Sequence, residues 1–441
     1  KLFVSGSYRR DASSRFHPDH RWGNFWSLSA AWLINRETWF NAPFVDMLKV
    51  RASYGSQGND NIGEFLYADS YTISNDGQGG IATIFARKGN PNITWETNGN
   101  FRIGADFGLF GNRLYGNIDY FYRKTTDMLF SLSVAPSIGY TSYYTNVGDM
   151  VNQGLEVELG GEVMRRKNFV WSLGLNFTHY KNKVTRLPDE YKQNRTSDGK
   201  TVGYDQGSYF LAEGYSRYAL YLPTYAGVNS EGEATWYAYE IDENGSYVTD
   251  ANGNRKRYIT NNYNAAYQYG REIQGDPTPA LFGGFNTAFM FYGVDVSANF
   301  TYQIGGLIYD SGYAMMMGSP MQTSVGYALH RDLWDAWSED NKDSNIPRFR
   351  YNDQNYTATS SRFLTDASYL NIQNITVGYT LPTNITRRFM VEKLRVYLSC
   401  DNVCYFSQRK GLDPRQSISG GANPYTYAPI RTFSGGVTVT F

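Results

Sequence analysis

The chain has 441 residues with 41 basic and 41 acidic side chains, so bulk electrostatics give no pull toward nucleic acid or an anionic surface. Mean hydropathy is −0.50, yet 38 Tyr, 26 Phe and 44 Gly raise the aromatic content to 17%, which suits strands with one face toward lipid and the other toward water. No apolar run approaches the ~20 residues of a membrane-spanning helix, which excludes a helical membrane protein and leaves a barrel untouched.

Alternation with a period of two begins at once, with Leu2, Val4 and Tyr8 set against Ser5, Ser7 and Arg9. The chain is thus expected to open in or beside a strand, without a signal peptide, and to be the carboxyl-terminal piece of a longer protein. The pattern recurs over 26–34, 48–54 and 95–107. In the last of these the odd positions read Trp, Thr, Gly, Phe, Ile, Ala, Phe, a spacing that would put apolar residues all round a helix. Further strands are predicted over 114–122, 155–159, 169–177, 285–291 and 294–304. Over 370–381 the apolar parity switches, from Leu370 and Ile372 to Ile375, Val377 and Tyr379, which predicts a β-bulge near Gln373 and Asn374. After 394–400 comes the final strand. Its Phe433, Gly435, Val437, Val439 and Phe441 share one face, and Ser434, Gly436, Thr438 and Thr440 share the other. A barrel's last strand must pair to close it, so Phe441, still in register, is expected to serve as the membrane-insertion signal.

The connections sort by length. Short ones are 35–47, 108–113, 161–168, 292–293 and 382–393; long ones are 10–25, 56–94, 123–154, 180–281, 305–369 and 401–431. Counted back from a periplasmic carboxyl terminus, every short connection is periplasmic and every long one external, the asymmetry of outer-membrane barrels. A soluble sandwich has no reason to sort its loops in this way. Tyr8, Tyr54, Tyr120, Tyr122, Phe289 and Phe291 sit near strand ends on the apolar face, where an interfacial girdle belongs. The expected class is therefore an all-β transmembrane antiparallel barrel, represented by twelve carboxyl-terminal strands in a single domain over 1–441.

Catalytic chemistry is hard to assemble here. A barrel enzyme needs a nucleophile with a base, and the four histidines are His17, His20, His179 and His330. His179 falls on the apolar face near a strand end, and His330 precedes Asp332 in a predicted helical turn over 327–337. Two histidines in the Phe16-His-Pro-Asp-His20 loop are too few to define a metal site. Asp242-Glu-Asn-Gly245 and Asp250-Ala-Asn-Gly-Asn254 have the flavour of calcium loops, but the later Glu is missing and Asn-Gly turns explain both. No metal or cofactor is expected. Cys400 and Cys404, if both lie in extended chain, have Cα atoms roughly 13 Å apart, beyond disulfide reach; a turn after Asn402 would bring them closer. Ligand contact is expected from loops: Trp334, Trp337, Asp335 and Asp340 are the candidates, because indole faces stack on sugar rings and carboxylates accept hydroxyl hydrogen bonds. For either Trp taken singly, anchoring the loop is the more expected role.

Several motifs in order along the chain resemble the carboxyl-terminal part of the SusC/RagA family of TonB-dependent outer-membrane transporters. They are Gly89-Asn-Pro-Asn-Ile-Thr-Trp-Glu-Thr97, Asp119-Tyr-Phe-Tyr-Arg-Lys-Thr-Thr-Asp-Met-Leu129, Asn146-Val-Gly148, Asn152-Gln-Gly-Leu-Glu-Val-Glu-Leu159, Gly275-Asp-Pro-Thr-Pro279, Trp337 with Pro347-Arg348-Phe349, Leu394-Arg-Val-Tyr-Leu398 and Gly411-Leu-Asp-Pro414. Cys400-Asp401 and Arg415 depart from the family pattern. The resemblance implies a complete barrel of about 22 strands, with the plug, the TonB-contacting segment and the remaining wall outside this chain. It also implies active import of an oligosaccharide or oligopeptide, a SusD-like surface lipoprotein as lid, an outer-membrane lipid surround and no nucleic acid. The alternatives are a passive porin or a barrel enzyme.

Overall fold

The computed structural model describes residues 1–441 apart from 76, 78, 193, 319–327, 352, 354 and 423–426. Twelve strands form one antiparallel sheet in chain order. They are β1 (Leu2–Ala12), β2 (Trp22–Leu33), β3 (Val45–Asn59), β4 (Glu96–Leu109), β5 (Leu114–Thr126), β6 (Asp149–Arg166), β7 (Phe169–Arg186), β8 (Leu281–Phe291), β9 (Val294–Ile304), β10 (Tyr369–Thr380), β11 (Lys393–Ser407) and β12 (Thr432–Thr440). The chain divides into two compact units: Lys1–Val157 with Lys181–Pro188, and Glu158–Tyr180 with Asp189–Phe441.

In the first unit the register keeps the two faces distinct. Leu48, Val50, Ala52 and Tyr54 of β3 stand opposite Phe107, Ala105, Ile103 and Phe101 of β4. Phe101, Ile103 and Ala105 in turn face Tyr122, Tyr120 and Ile118 of β5. A slip of one residue would move all of these to the other face, so the apolar pattern itself sets the register. The second unit follows the same rule: Trp171 and Leu175 of β7 face Phe289 and Phe285 of β8, which face Val296 and Phe300 of β9.

The predicted bulge is present. Asn374 pairs with Asn299 and Ile372 with Phe300, leaving Gln373 without a partner. On the other side Asn374 meets Asp401 while Ile372 meets Cys404, and Asn402 takes the left-handed conformation at φ 50°. Cys400 and Cys404 are free thiols.

Strands run further than their alternation predicted. The segment 155–159 belongs to an 18-residue strand, β6, and β7 is equally long. At ~3.3 Å per residue and a tilt near 40°, each rises roughly 45 Å, well beyond a ~25 Å apolar band. Above that band neither face meets lipid, so the alternation that marks a strand in the sequence fades. Among the described residues no helix is long and apolar enough to cross a membrane, a fact without bearing on crossing by strands.

The connecting loops have cores of their own. In the first unit Phe16, Leu66 and Ile93 are buried together with Trp95, Leu129 and Tyr144 against them. In the second, Tyr313, Met317, Tyr356 and Phe363 form one cluster and Ala234, Trp236 and Ala266 another.

Candidate functional site

The polar face of the sheet carries a charge network in each unit. In the first, Arg51 of β3 donates from Nε to Asp106 at 3.0 Å and from Nη2 to Asp119 at 2.5 Å. Lys49 Nζ lies 2.6 Å from the second Asp106 oxygen. Arg102 pairs with Glu156 and lies 3.7 Å from Asp119. Asp119 sits on β5, two strands from Arg51, and the strand between supplies Gly104 directly opposite it. A Cβ at Gly104 would stand 2.2 Å from Asp119 Oδ1. The second unit repeats the device. Arg395 of β11 reaches Asp295 of β9, with contacts of 2.9 and 2.5 Å, across Gly378 of β10, where a Cβ would fall 2.4 Å from Arg395 Nη2. Neighbouring strands are ~4.8 Å apart, so a guanidinium spans two of them only where the middle one has no side chain. Each buried carboxylate is paired, as burial of an isolated charge would be costly.

The family-like motifs tie loops to one another. Asn90 Nδ2 donates to Tyr144 O at 3.0 Å. Thr94 and Asn146 exchange two 2.8 Å hydrogen bonds, and Trp95 Nε1 donates to Arg21 O at 2.9 Å. Glu96 accepts from Asn59 Nδ2 at 3.1 Å and from the Leu129 N–H at 3.2 Å. One short segment therefore joins three loops, which accounts for its polar-plus-aromatic composition. The segment 411–415 acts likewise: Leu412 is buried with Ile308 and Ala367, and Arg415 grips Asp413 through two 2.7 Å bonds. The departure at Arg415 thus supplies a local ion pair within the turn that Asp413 caps.

The loop candidates separate. Trp334 lies in a short 3-10 turn, Arg331–Asp335, with 91% of its surface exposed, whereas Trp337 is 5% exposed. The Trp337 ring packs over Gly232, where a Cβ would come within 2.5 Å, and under Arg348, whose guanidinium is 5.6 Å from the ring centroid. Asp335 and Asp340 are exposed, and the Asp335 carbonyl accepts from Asn341 and Ser344 side chains. The predicted helical turn over 327–337 is shorter than expected, and residue 327 lies outside the described residues.

His330 caps that turn, accepting the Asp332 N–H at 3.2 Å, and His179 Nδ1 is 2.6 Å from Ala280 O. His17 pairs with Asp19 at 3.3 Å. Among the described residues no three His, Cys, Asp or Glu side chains gather as for a metal. Asp242 and Asp250 accept backbone N–H groups of their own turns, Asp242 from Asn244 and Ser246 and Asp250 from Asn252 and Asn254. Their carboxylates are hairpin-turn acceptors. Two loop tyrosines, half-buried Tyr225 and buried Tyr356, are equally structural. Burial pushes the Tyr225 and Tyr356 hydroxyls up to about 12, so they stay protonated and donate to Asn345 O and Pro347 O at 3.0 Å.

An antiparallel wall with an apolar face, a charge-paired polar face and stitched loops on its long connections has the features of an outer-membrane receptor barrel. The family model described as TonB dependent receptor-like, beta-barrel, matches residues 1–273, and the chain belongs to that family. The TonB-dependent receptor SusC of Bacteroides thetaiotaomicron is 27% identical over 98% of this chain and 41% of its own length. TonB-dependent receptor P3 of Formosa agariphila is 29% identical over 100% of this chain and 44% of its own. A solved structure of the RagAB peptide transporter superposes with a TM-score of 0.80 at 26% identity, covering 100% of this chain and 46% of that one. The chain thus spans a little under half the length of these relatives. The family consists of outer-membrane transport receptors rather than enzymes.

Proposed function

We propose that this chain is the carboxyl-terminal wall and loop portion of a TonB-coupled importer that carries an oligosaccharide or oligopeptide across the outer membrane with a SusD-like lipoprotein as lid. The observation that carries the reading is the pairing of a charge-compensated polar face with large, internally packed loops on one set of strand ends. The family match to TonB-dependent receptors favours coupled import over a passive pore. In this reading the carboxyl terminus is periplasmic and Phe441 guides insertion. Exposed Trp334, with Asp335 and Asp340 beside it, meets substrate or lid, while Trp337 holds their loop in place.

The test is uptake of labelled oligosaccharides and peptides by cells carrying the full-length protein, with and without TonB. Import should disappear without TonB; import that persists would indicate a pore. In the same assay Trp334→Ala should lower uptake several-fold at unchanged barrel abundance.

A further inference from the structure

The apolar columns of three strands change chemistry at one end. In β7 the odd positions read Phe169, Trp171, Leu173, Leu175, Phe177 and His179, followed by Lys181 and Lys183. Asn182 bonds Asn152 Oδ1 at 2.7 Å, on the same polar-face parity of β6 as Glu156, the partner of Arg102. This puts Lys181 and Lys183 on the opposite face. In β5 the column is Leu114, Gly116, Ile118, Tyr120, Tyr122 and then Lys124; in β1 it is Leu2, Val4, Gly6, Tyr8 and then Arg10. The ten steps from Phe169 to His179 cover ~33 Å of strand, or ~25 Å along a membrane normal at a tilt near 40°. That is the height of an apolar band. Lys181 and Lys183 then emerge roughly 5 and 10 Å above it.

The site is cationic beyond its own pairing. Lys124 lies 3.8 Å from Asp149, a carboxylate that also binds Arg186 at 2.9 Å. Lys181 and Lys183 are exposed and make no ion pair among the described residues. Since β5, β6 and β7 are neighbours in the sheet, Lys124 stands two strands away, ~10 Å, within reach of one lipid headgroup.

We propose that Lys181 and Lys183, assisted by Lys124, bind the phosphate groups of an outer-leaflet glycolipid. Two features argue for this occupant: the cluster is continuous with the lipid-facing band, and its unpaired ammonium groups lie where phosphates lie. The inference rests on the orientation given under Proposed function, with long loops outside.

The experiment uses the full-length transporter extracted from outer membranes, with co-purified phosphorylated glycolipid measured by mass spectrometry. Lys181→Glu/Lys183→Glu should retain about tenfold less than the parent protein, and Lys181→Arg/Lys183→Arg should retain the same amount. Added lipid A should raise the thermal midpoint of delipidated protein, and lipid A stripped of phosphate should not. Equal retention by the Glu variant, or equal stabilisation by both lipids, would overturn the proposal; Lys181→Gln/Lys183→Gln replaces the Glu variant should that one fail to assemble. Orientation is read separately, by impermeant maleimide on whole cells carrying Trp334→Cys in a Cys400→Ser/Cys404→Ser background. Absence of labelling sinks the orientation, whereas labelling without lysine dependence sinks the lipid site alone.

Discussion

At the scale of single residues, the two glycine-gated ion pairs make the sharpest demands. Gly104 leaves the space through which Arg51 meets Asp119, so Gly104→Ala forces a carboxylate or a strand to move. Overpacking of this kind costs about 1–3 kcal/mol, and the variant should lose its folded, heat-modifiable form at a lower temperature than the parent; an unchanged midpoint would show that the wall yields without cost. The two tryptophans should part company. Trp337→Ala empties a buried site and should cost the loop about 3 kcal/mol or more, seen as faster protease cleavage within 305–368, while Trp334→Ala leaves cleavage as it was. Asp413 provides a pH signature. Burial alone would raise its carboxyl, but Arg415's side chain and backbone N–H hold it below the ordinary 3.8. A depressed folded value means that this stabilisation is complete above pH 3.8 and lost as pH falls through the lower folded value. Protection of residues 408–422 should therefore decline in strong acid, and Asp413→Asn should lessen that decline, the Arg409–Asp310 pair remaining. These residues were poorly visible in the sequence. A charged side chain opposite a glycine two strands away has meaning only once the register is known, and the buried and exposed tryptophans look alike in one dimension.

At the scale of elements, the strands and the bulge were legible because their cause is local. Period-two alternation records which face meets lipid, and the change of parity between Ile372 and Ile375 marks the extra residue at Gln373. Deleting Gln373 should leave the apolar alternation of β10 unbroken but remove the bulge that accommodates the two residues of β11 between Asp401 and Cys404. Folded barrel in the outer membrane should fall sharply; normal assembly would mean that the bulge is dispensable. The strand ends were less visible, as β6 and β7 continue beyond the lipid where both faces are wet. The motif around Asn90 to Glu96 was recognisable as a string, but its role as the tie among three loops emerged only from its partners.

For the whole molecule, removal of Phe441 should reduce outer-membrane assembly, measured as the fraction of heat-modifiable protein, if the last strand guides insertion; undiminished assembly would count against it. By itself the sequence determined the class of fold and the number of strands in the sheet, because a membrane imposes one repeating rule on every residue that meets it. The lengths of the connections were less legible, since 13–21, expected to be long, is shorter than 34–44 and 381–392, expected to be short. Tertiary structure alone decided which charges pair across a missing side chain, which tryptophan is free to touch a ligand and which loops are sewn together. Those outcomes depend on contacts between residues far apart in the chain, where register and backbone approach, rather than residue type, set what can meet.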